Sequence, residues 1–440
     1  NYLKRWTHAF ELFGDGPRFL QVPNVTPTAA SADNFPLVSK LDIRLATGST
    51  PTLFDNAGGR PRRFTPDELA VTLLVFQCFS PGGLLSECLW KGVLVKKAGN
   101  PTSPCLAGKF VHAFPIDRGS LARTVWLNLL NKEQLHDKQK WGRPVWEMMP
   151  ASIADGPAVE NATRTYLGRL APVSRVVRLS DDGITMVWGG GLSYPAYPEW
   201  RDAAATVYVA RDAKGSEERR VLKAAIGRSM WRQLWAISVV KHSGRELIGG
   251  PLALQNAAEM DGVDIFCGGV IYEGTETTKL REITESVLHI PKPMFADAGQ
   301  QLYRKGVGQA DHWERRLRSA VSTYRGALKD ELDKPATRKR GDEMKNKAAL
   351  HYWTAAEQNV ALLQALVLDP SPLFPEGAQK ESWHATPWGR ALAAAARAAY
   401  DQACPCETPR QMQAYAEGLK ALFKPDRGER PETEGEEELE

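Results

Sequence analysis

Histidine is scarce, with 8 in 440 residues, and those eight show no metal-ligand spacing. No H-E-x-x-H, no G-x-x-x-x-G-K-[ST] and no G-x-S-x-G is present. These absences argue against a helical zinc peptidase, a P-loop nucleotide hydrolase and a nucleophile-elbow hydrolase. The six cysteines form no C-x-x-C pair, and Cys404 and Cys406 stand alone with one residue between them, which speaks against a structural zinc site. Neither a metal nor another cofactor is expected. No apolar run reaches the length of a membrane span and no secretory signal opens the chain. Reduced thiols in a cytoplasmic protein, without a membrane partner, are the expectation.

Net charge is also small, at +4, but it is unevenly spread. Residues 429–440 hold seven glutamates and one arginine, a charge of −6, so the remaining body carries +10. A basic body with an acidic tail suits a polyanionic partner. The tail, 426–440, is too polar to bury a core and is expected to be disordered. A hydrophobic fraction of 43% and a charged fraction of 25% are those of a globular protein. The length exceeds one ordinary domain, and the pattern divides it into a mixed region, 1–293, and a helical region, 294–425. Because residue 1 is Asn, the reading also expects some N-terminal sequence to be missing.

The most informative stretch runs from Thr52 to Gly83. Leu53, Phe54, Asp55 and Asn56 open a loop that continues through Gly58 and Gly59 to Arg60, Arg62 and Arg63. Thr65 is a good N-cap, Pro66 fits the first helical position, and Glu68 completes a capping box. Phe64 and Leu69 have staple spacing, and Leu69, Leu73 and Phe76 lie on one helical face. Pro81, Gly82 and Gly83 then stop the helix.

The rest follows in order. Residues 1–25 predict a short amphipathic helix with Leu3, Trp6, Phe10 and Phe13, leading into a segment reading R-F-L-Q-V-P. Residues 41–45 suggest a short strand. Residues 84–119 show no sustained period; Lys96, Lys97 and Lys109 lie beside glycines there, so backbone and cations can approach phosphates together. Residues 121–130 predict a helix whose apolar density suggests core. Alternation from Arg175 predicts a hairpin turning at 181–183, with another strand at 207–209 and a short apolar helix over 231–240. A strand over 264–272 with a glycine break turns through 273–279 and returns over 280–290. Beyond Pro293, helices are predicted over 297–333, 342–368, 386–403 and 409–423, the last behind a Thr408–Gln411 capping box. Four such helices make a bundle. Arg338, Lys339 and Arg340 form a basic patch near one end. The fold class is therefore α+β, with antiparallel hairpins first and a four-helix bundle last.

Several of these segments, taken in order, resemble the large subunit (CasA) of the type I-E CRISPR Cascade complex. The resemblance rests on T-L-F-D with its glycine-containing loop, on the capped helix carrying Phe76-Gln77, on P-G-G at 81–83, and on the W-x-x-x-F-x-x-F and R-F-L-Q-V-P segments. It is supported by T-V-W-L-N-L-L at 124–130, R-P-V-W-E at 143–147, and the hairpin tipped at 273–279. What the resemblance implies is a non-catalytic subunit that checks a short motif flanking the target (the PAM) in double-stranded DNA from the minor groove. Such a subunit starts unwinding, stabilises the R-loop and recruits the helicase-nuclease. Gly82 and Gly83 match the loop lying against the flanking motif. Leu53, Phe54, Asp55 and Asn56 match the loop docking near the 5′ end of the guide RNA. Thr275, Glu276, Thr277 and Lys279 match the tip of a wedge hairpin, although the family commonly has glutamine where Glu276 stands. Lys109, Arg60, Arg62, Arg63, Lys96, Lys97 and the Arg338–Arg340 patch are the further cationic candidates. Near 181–183, where some relatives carry a lysine, no lysine is found; Lys109 and Arg178 are the substitutes considered. The implied partners are a guide RNA (crRNA), target duplex DNA, the backbone, 5′-handle-binding and small subunits, and the helicase-nuclease.

Two other classes fit parts of the sequence. A metal-dependent nuclease would need a set such as Asp264, Glu276 and Lys279, whose spacing is one residue too long for a common nuclease arrangement. A protein-binding scaffold would use the thirteen tryptophans, most of which are expected to be buried.

Overall fold

A computed structural model describes residues 1–32, 34–45, 60–79, 85–96, 110–135, 140–192, 194, 202–211, 215–241, 248–272, 280–328, 335–375 and 378–424. The chain separates into two compact units, Asn1–Phe295 and Ala296–Glu440.

In the first unit, the helix Pro66–Phe79 is built as its sequence dictates. The Thr65 amide donates to the Glu68 carboxylate (3.0 Å) and the Glu68 amide to the Thr65 hydroxyl (3.4 Å), so the capping box is formed. Leu69, Leu73 and Phe76 enter a core shared with Leu20, Val22, Trp90, Val176, Val177 and Trp188, and Phe64 packs against its edge. Gln77 is fully buried on the same side. Its amide nitrogen donates to the carbonyls of Leu20 (3.2 Å) and Arg175 (3.0 Å), while its oxygen accepts from the amides of Ser174 (2.8 Å) and Arg175 (2.9 Å). One side chain thereby ties the helix to two chain segments that also pair directly, the Val22 amide donating to the Val177 carbonyl (3.1 Å).

Around this helix lie short antiparallel sheets. Val25–Pro27 pairs with Cys88–Trp90, which pairs with Val93–Val95. Val176–Leu179 pairs with Met186–Gly189 around the expected turn, and Val207–Arg211 pairs with Glu217–Val221. The long hairpin Gly262–Tyr272 and Leu280–Pro291 is flanked on its first strand by His112–Ile116.

Several sequence expectations are corrected. Residues 84–119 are not all loop: Lys91 (φ 50°) and Gly92 (φ 81°) form a tight turn with both central residues left-handed, which is what a two-residue hairpin requires. Residues 41–45 form no strand. The Asp42 carboxylate accepts from the Arg44 amide (3.1 Å) and holds its guanidinium (2.7 Å), closing a local turn instead. The strand Gly262–Tyr272 runs unbroken through Gly268 and Gly269; a Cβ at Gly269 would lie 2.9 Å from that of Ala224, so the missing side chain reflects close packing. The N-terminal helix is only Tyr2–Trp6, continued by a 3₁₀ turn, and Phe10 stays partly exposed against Phe19 and Trp146. The 231–240 helix shrinks to Met230–Gln233 and Leu234–Ile237. The helix Leu121–Leu127 is not a core element: Leu121, Val125, Trp126 and Leu129 beside it are 51–80% exposed. Helices Gly156–Arg164 and Tyr166–Leu170 join the expected elements, the Asp155 side chain capping the first by accepting from the Ala158 amide.

The second unit is helical: Asp297–Ala327, Pro335–Gln358, Val360–Leu368, Pro387–Ala403 and Pro409–Leu422. The expected second helix starts earlier and divides at Asn359, whose side-chain amide turns back to the Ala355 carbonyl (2.8 Å). Leu317, Ala320, Tyr324, Ala356, Leu363 and Val367 are buried as their spacing required. The Thr408–Gln411 capping box is present. Among the described residues, no helix is long and apolar enough to cross a membrane.

Candidate nucleic-acid interface

The two segments singled out most strongly, 80–84 with Gly82 and Gly83, and 273–279 with Thr275, Glu276, Thr277 and Lys279, lie outside the described residues. Leu53, Phe54, Asp55, Asn56, Lys97 and Lys109 lie outside them too. The residues flanking the first two segments are described, and they meet. Phe79 ends the capped helix immediately before residue 80; Tyr272 and Leu280 are the last paired residues of the long hairpin. The Tyr272 hydroxyl donates to the Phe79 carbonyl at 2.7 Å. Val270, Tyr272 and Leu280 form a small core on which Phe79 and Ile283 pack. Both segments therefore leave the fold from a common anchor, about the length of one tyrosine side chain across. The sequence places them nearly 200 residues apart, and only the fold joins them.

The hairpin also changes register at Arg281, immediately after the 273–279 segment. Such an irregularity adds twist to the strand end and re-aims what it carries. Neither Tyr272 nor Phe79 stood out in the sequence. The readable signal was their position: an aromatic residue ending a strand just before a turn, and another ending a helix just before P-G-G.

The opposite end of the Pro66–Phe79 helix, about 20 Å away, presents cations. Arg60, Arg62 and Arg63 are all exposed, and the Arg62 guanidinium sits over the Phe64 ring at 4.9 Å. Near them is the turn of the Val176–Gly189 hairpin. The Ser180 hydroxyl, the Ile184 amide and the charge of Arg63, in that order, hold the Asp182 carboxyl below its usual range. Arg18 is buried behind this turn, donating to the Leu179 carbonyl (2.7 Å) and to Asp181 (2.6 Å). Arg178 on the same hairpin is half-buried, and burial first, then Arg18, lowers its pKa. The turn that lacks a lysine thus has arginines beside it from other segments of the same chain. Lys96 is exposed at the end of Val93–Val95; Lys339 and Arg340 are exposed on the Pro335–Gln358 helix of the other unit, where Arg338 lies in the helix.

A nuclease set finds no support in this geometry. The Asp264 carboxylate is taken up by Arg118 and by His289 Nδ1 (2.8 Å). It stands eight residues before Tyr272, roughly 26 Å along the strand. Glu276 is four residues beyond Tyr272, at most about 14 Å of chain. Among the described residues, no group of three His, Cys, Asp or Glu side chains is arranged to hold a metal ion.

Comparison with known proteins bears on this arrangement. Residues 1–397 match the family model described as CRISPR-associated protein Cse1. A CRISPR-associated protein CasA/Cse1 from Thermus thermophilus is 27% identical over 410 residues, covering 88% of this chain and 76% of that protein. The crystal structure of Thermus thermophilus CasA superimposes with a TM-score of 0.65 at 23% identity, over 96% of this chain and 80% of the other. A chain from a structure titled CRISPR RNA-guided surveillance complex gives 0.52 at 17% identity, over 96% and 80%.

Proposed function

The chain belongs to the CRISPR-associated Cse1 family, and from that premise we propose that it is the non-catalytic large subunit of an RNA-guided Cascade surveillance complex. In this reading, base pairing with a guide RNA reads the target, and this subunit checks the flanking PAM in duplex DNA and begins its opening. The minor groove offers a poor code. Backbone that approaches closely, reinforced by a wedge, suits it better than long side chains, and glycines at 82 and 83 permit the approach. Leu53–Asn56 would dock against the guide's 5′ end, the cations would contact phosphates, and the helical unit would meet the small subunits and the displaced strand. The helicase-nuclease recruited afterwards would supply cleavage.

The observation that most supports the reading is the Tyr272–Phe79 hydrogen bond, because it anchors the glycine segment and the wedge segment together. Motif contact and base-pair separation then occur at one point on the duplex. Tyr272→Phe removes that bond and little else. It is expected to weaken PAM-duplex binding by the assembled complex three- to tenfold, the worth of about one hydrogen bond, while assembly is unchanged. An unaltered dissociation constant in a filter-binding titration would separate the anchor from recognition.

The phosphate contacts have their own test. Binding should fall steeply with salt, and replacing Arg60, Arg62 and Arg63 together by alanine should flatten the log–log slope by about one unit for each arginine that contacts phosphate. An identical slope in parent and variant would remove these three from the interface.

A further inference from the structure

Beneath the helix Leu121–Leu127 is a cavity of about 360 Å³ that the reading above does not use. Its walls are apolar, formed by Ala113, Phe114, Val125, Leu129, Leu170 and Ala253. Its polar end is made by His112, Asn128, Tyr166, Arg169 and Asp202. Asp202 is already committed, accepting from Arg169 Nε (3.0 Å) and the Ala204 amide (2.9 Å). Burial alone would raise its pKa, but Arg169 and then His112 outweigh burial and keep it ionised.

Two of the lining side chains carry buried polar atoms with no hydrogen-bond partner among the described residues. Asn128 donates through its amide nitrogen to the carbonyls of Pro115 (2.7 Å) and Thr124 (2.8 Å), which fixes the orientation of the group. Its buried oxygen has no hydrogen-bond partner among the described residues. His112 is 4% exposed, and neither ring nitrogen has a hydrogen-bond partner among the described residues. Asp202 Oδ2 is 3.8 Å from Nε2, beyond hydrogen-bond reach. Buried polar atoms left this way are uncommon and call for a partner.

The chemistry of that partner follows. Asn128 offers only an acceptor, while the imidazole both donates and accepts. A hydroxyl answers both; an indole N–H can only donate. The apolar walls ask for an apolar body long enough to carry the hydroxyl inward, which serine and threonine lack. A phenol meets all of these conditions. Its source follows from the rim. Leu121, Val125, Trp126, Leu129 and Leu170 stay exposed in and beside the mouth, more apolar surface than a small molecule would cover. Tyrosine is also among the residues that anchor interfaces by filling such pockets.

We propose that this cavity receives a tyrosine side chain from another protein chain of the complex, with its hydroxyl between Asn128 Oδ1 and the His112 ring and the rim packed against the residues flanking it. The proposal rests on the Cascade-subunit reading only for the presence of neighbouring chains, not on how DNA is recognised.

Calorimetry on the full chain tests the site with p-cresol, and with toluene as the probe lacking a hydroxyl. p-Cresol is expected to bind at least tenfold more tightly than toluene, and Leu129→Glu, a substitution at an exposed rim position, should abolish its binding. Equal binding of the two probes, no binding of p-cresol, or binding unaffected by Leu129→Glu would each overturn the site. The source is tested in the assembled complex with a benzoylphenylalanine crosslinker at position 125. Crosslinking to a tyrosine-bearing segment of another protein chain is expected. Crosslinking to nucleic acid, or to no chain although p-cresol binds, would overturn the protein source. p-Cresol binding is read on the chain without nucleic acid, so failure here and failure of DNA recognition are separately visible.

Discussion

Gly83→Asp, carried in the assembled complex, is expected to abolish target-duplex binding while the variant chain melts and assembles like its parent. The substitution adds two things where the reading needs neither. The first is a Cβ on backbone that has to lie against the groove edge. The second is a negative charge among phosphates. At about 7 Å and an effective dielectric near 20, each like-charge pair costs roughly 2 kcal/mol. Two such phosphates bring the loss to about three orders of magnitude in affinity before any steric effect is counted. Gly83→Ala carries only the first change and should lose less. This ordering, parent above alanine above aspartate, separates close approach from charge. Electrophoretic mobility shift with a PAM-containing duplex measures all three. Aspartate binding within threefold of the parent would end the assignment of the 80–84 segment, and would leave membership of the family untouched.

The uneven legibility of this chain has a physical pattern. Local chemistry could be read directly: Thr65 with Glu68 and Thr408 with Gln411 close capping boxes because both partners sit within one turn. The turn at Lys91-Gly92 was equally local and was missed because strands of three residues show almost no alternation. What could not be read is whatever one segment supplies to another. The Tyr272–Phe79 anchor spans 193 residues, and its usefulness depends on two turns that the sequence lists far apart. The helix Leu121–Leu127 misled for the opposite reason. Its apolar density is real, but density alone does not say whether the cover is this chain or a neighbour, and here much of that face remains exposed. The resemblance to CasA added order to short motifs that carry little weight singly, and so named the family where periodicity gave only a fold class.

Gln77→Leu should be the most damaging conservative substitution in the first unit. Leucine is close in volume, and the position is already fully buried, so packing and helix propensity change little. The hydrogen bonds do change. The amides of Ser174 and Arg175 lose the oxygen they share, and the carbonyls of Leu20 and Arg175 lose their donor, all in a buried setting. Each buried donor left without a partner costs about 1–3 kcal/mol, so the two amides alone account for roughly 2–6 kcal/mol. Against a typical stability of about 5–15 kcal/mol this is a large share. At about 2–4 °C per kcal/mol for a unit of this size, the transition should fall by on the order of 10 °C. Gln77→Glu keeps acceptors for the two amides but loses the donor and buries a carboxyl, so it should not rescue. Gln413→Leu, at an exposed position on the Pro409–Leu422 helix, is the matched control and should move nothing by more than about 0.5 kcal/mol. Calorimetry of the full chain gives the result. A fall of less than about 2 °C for Gln77→Leu, under the shift expected from even 1 kcal/mol, would mean that the glutamine does not hold the helix to residues 20 and 174–175.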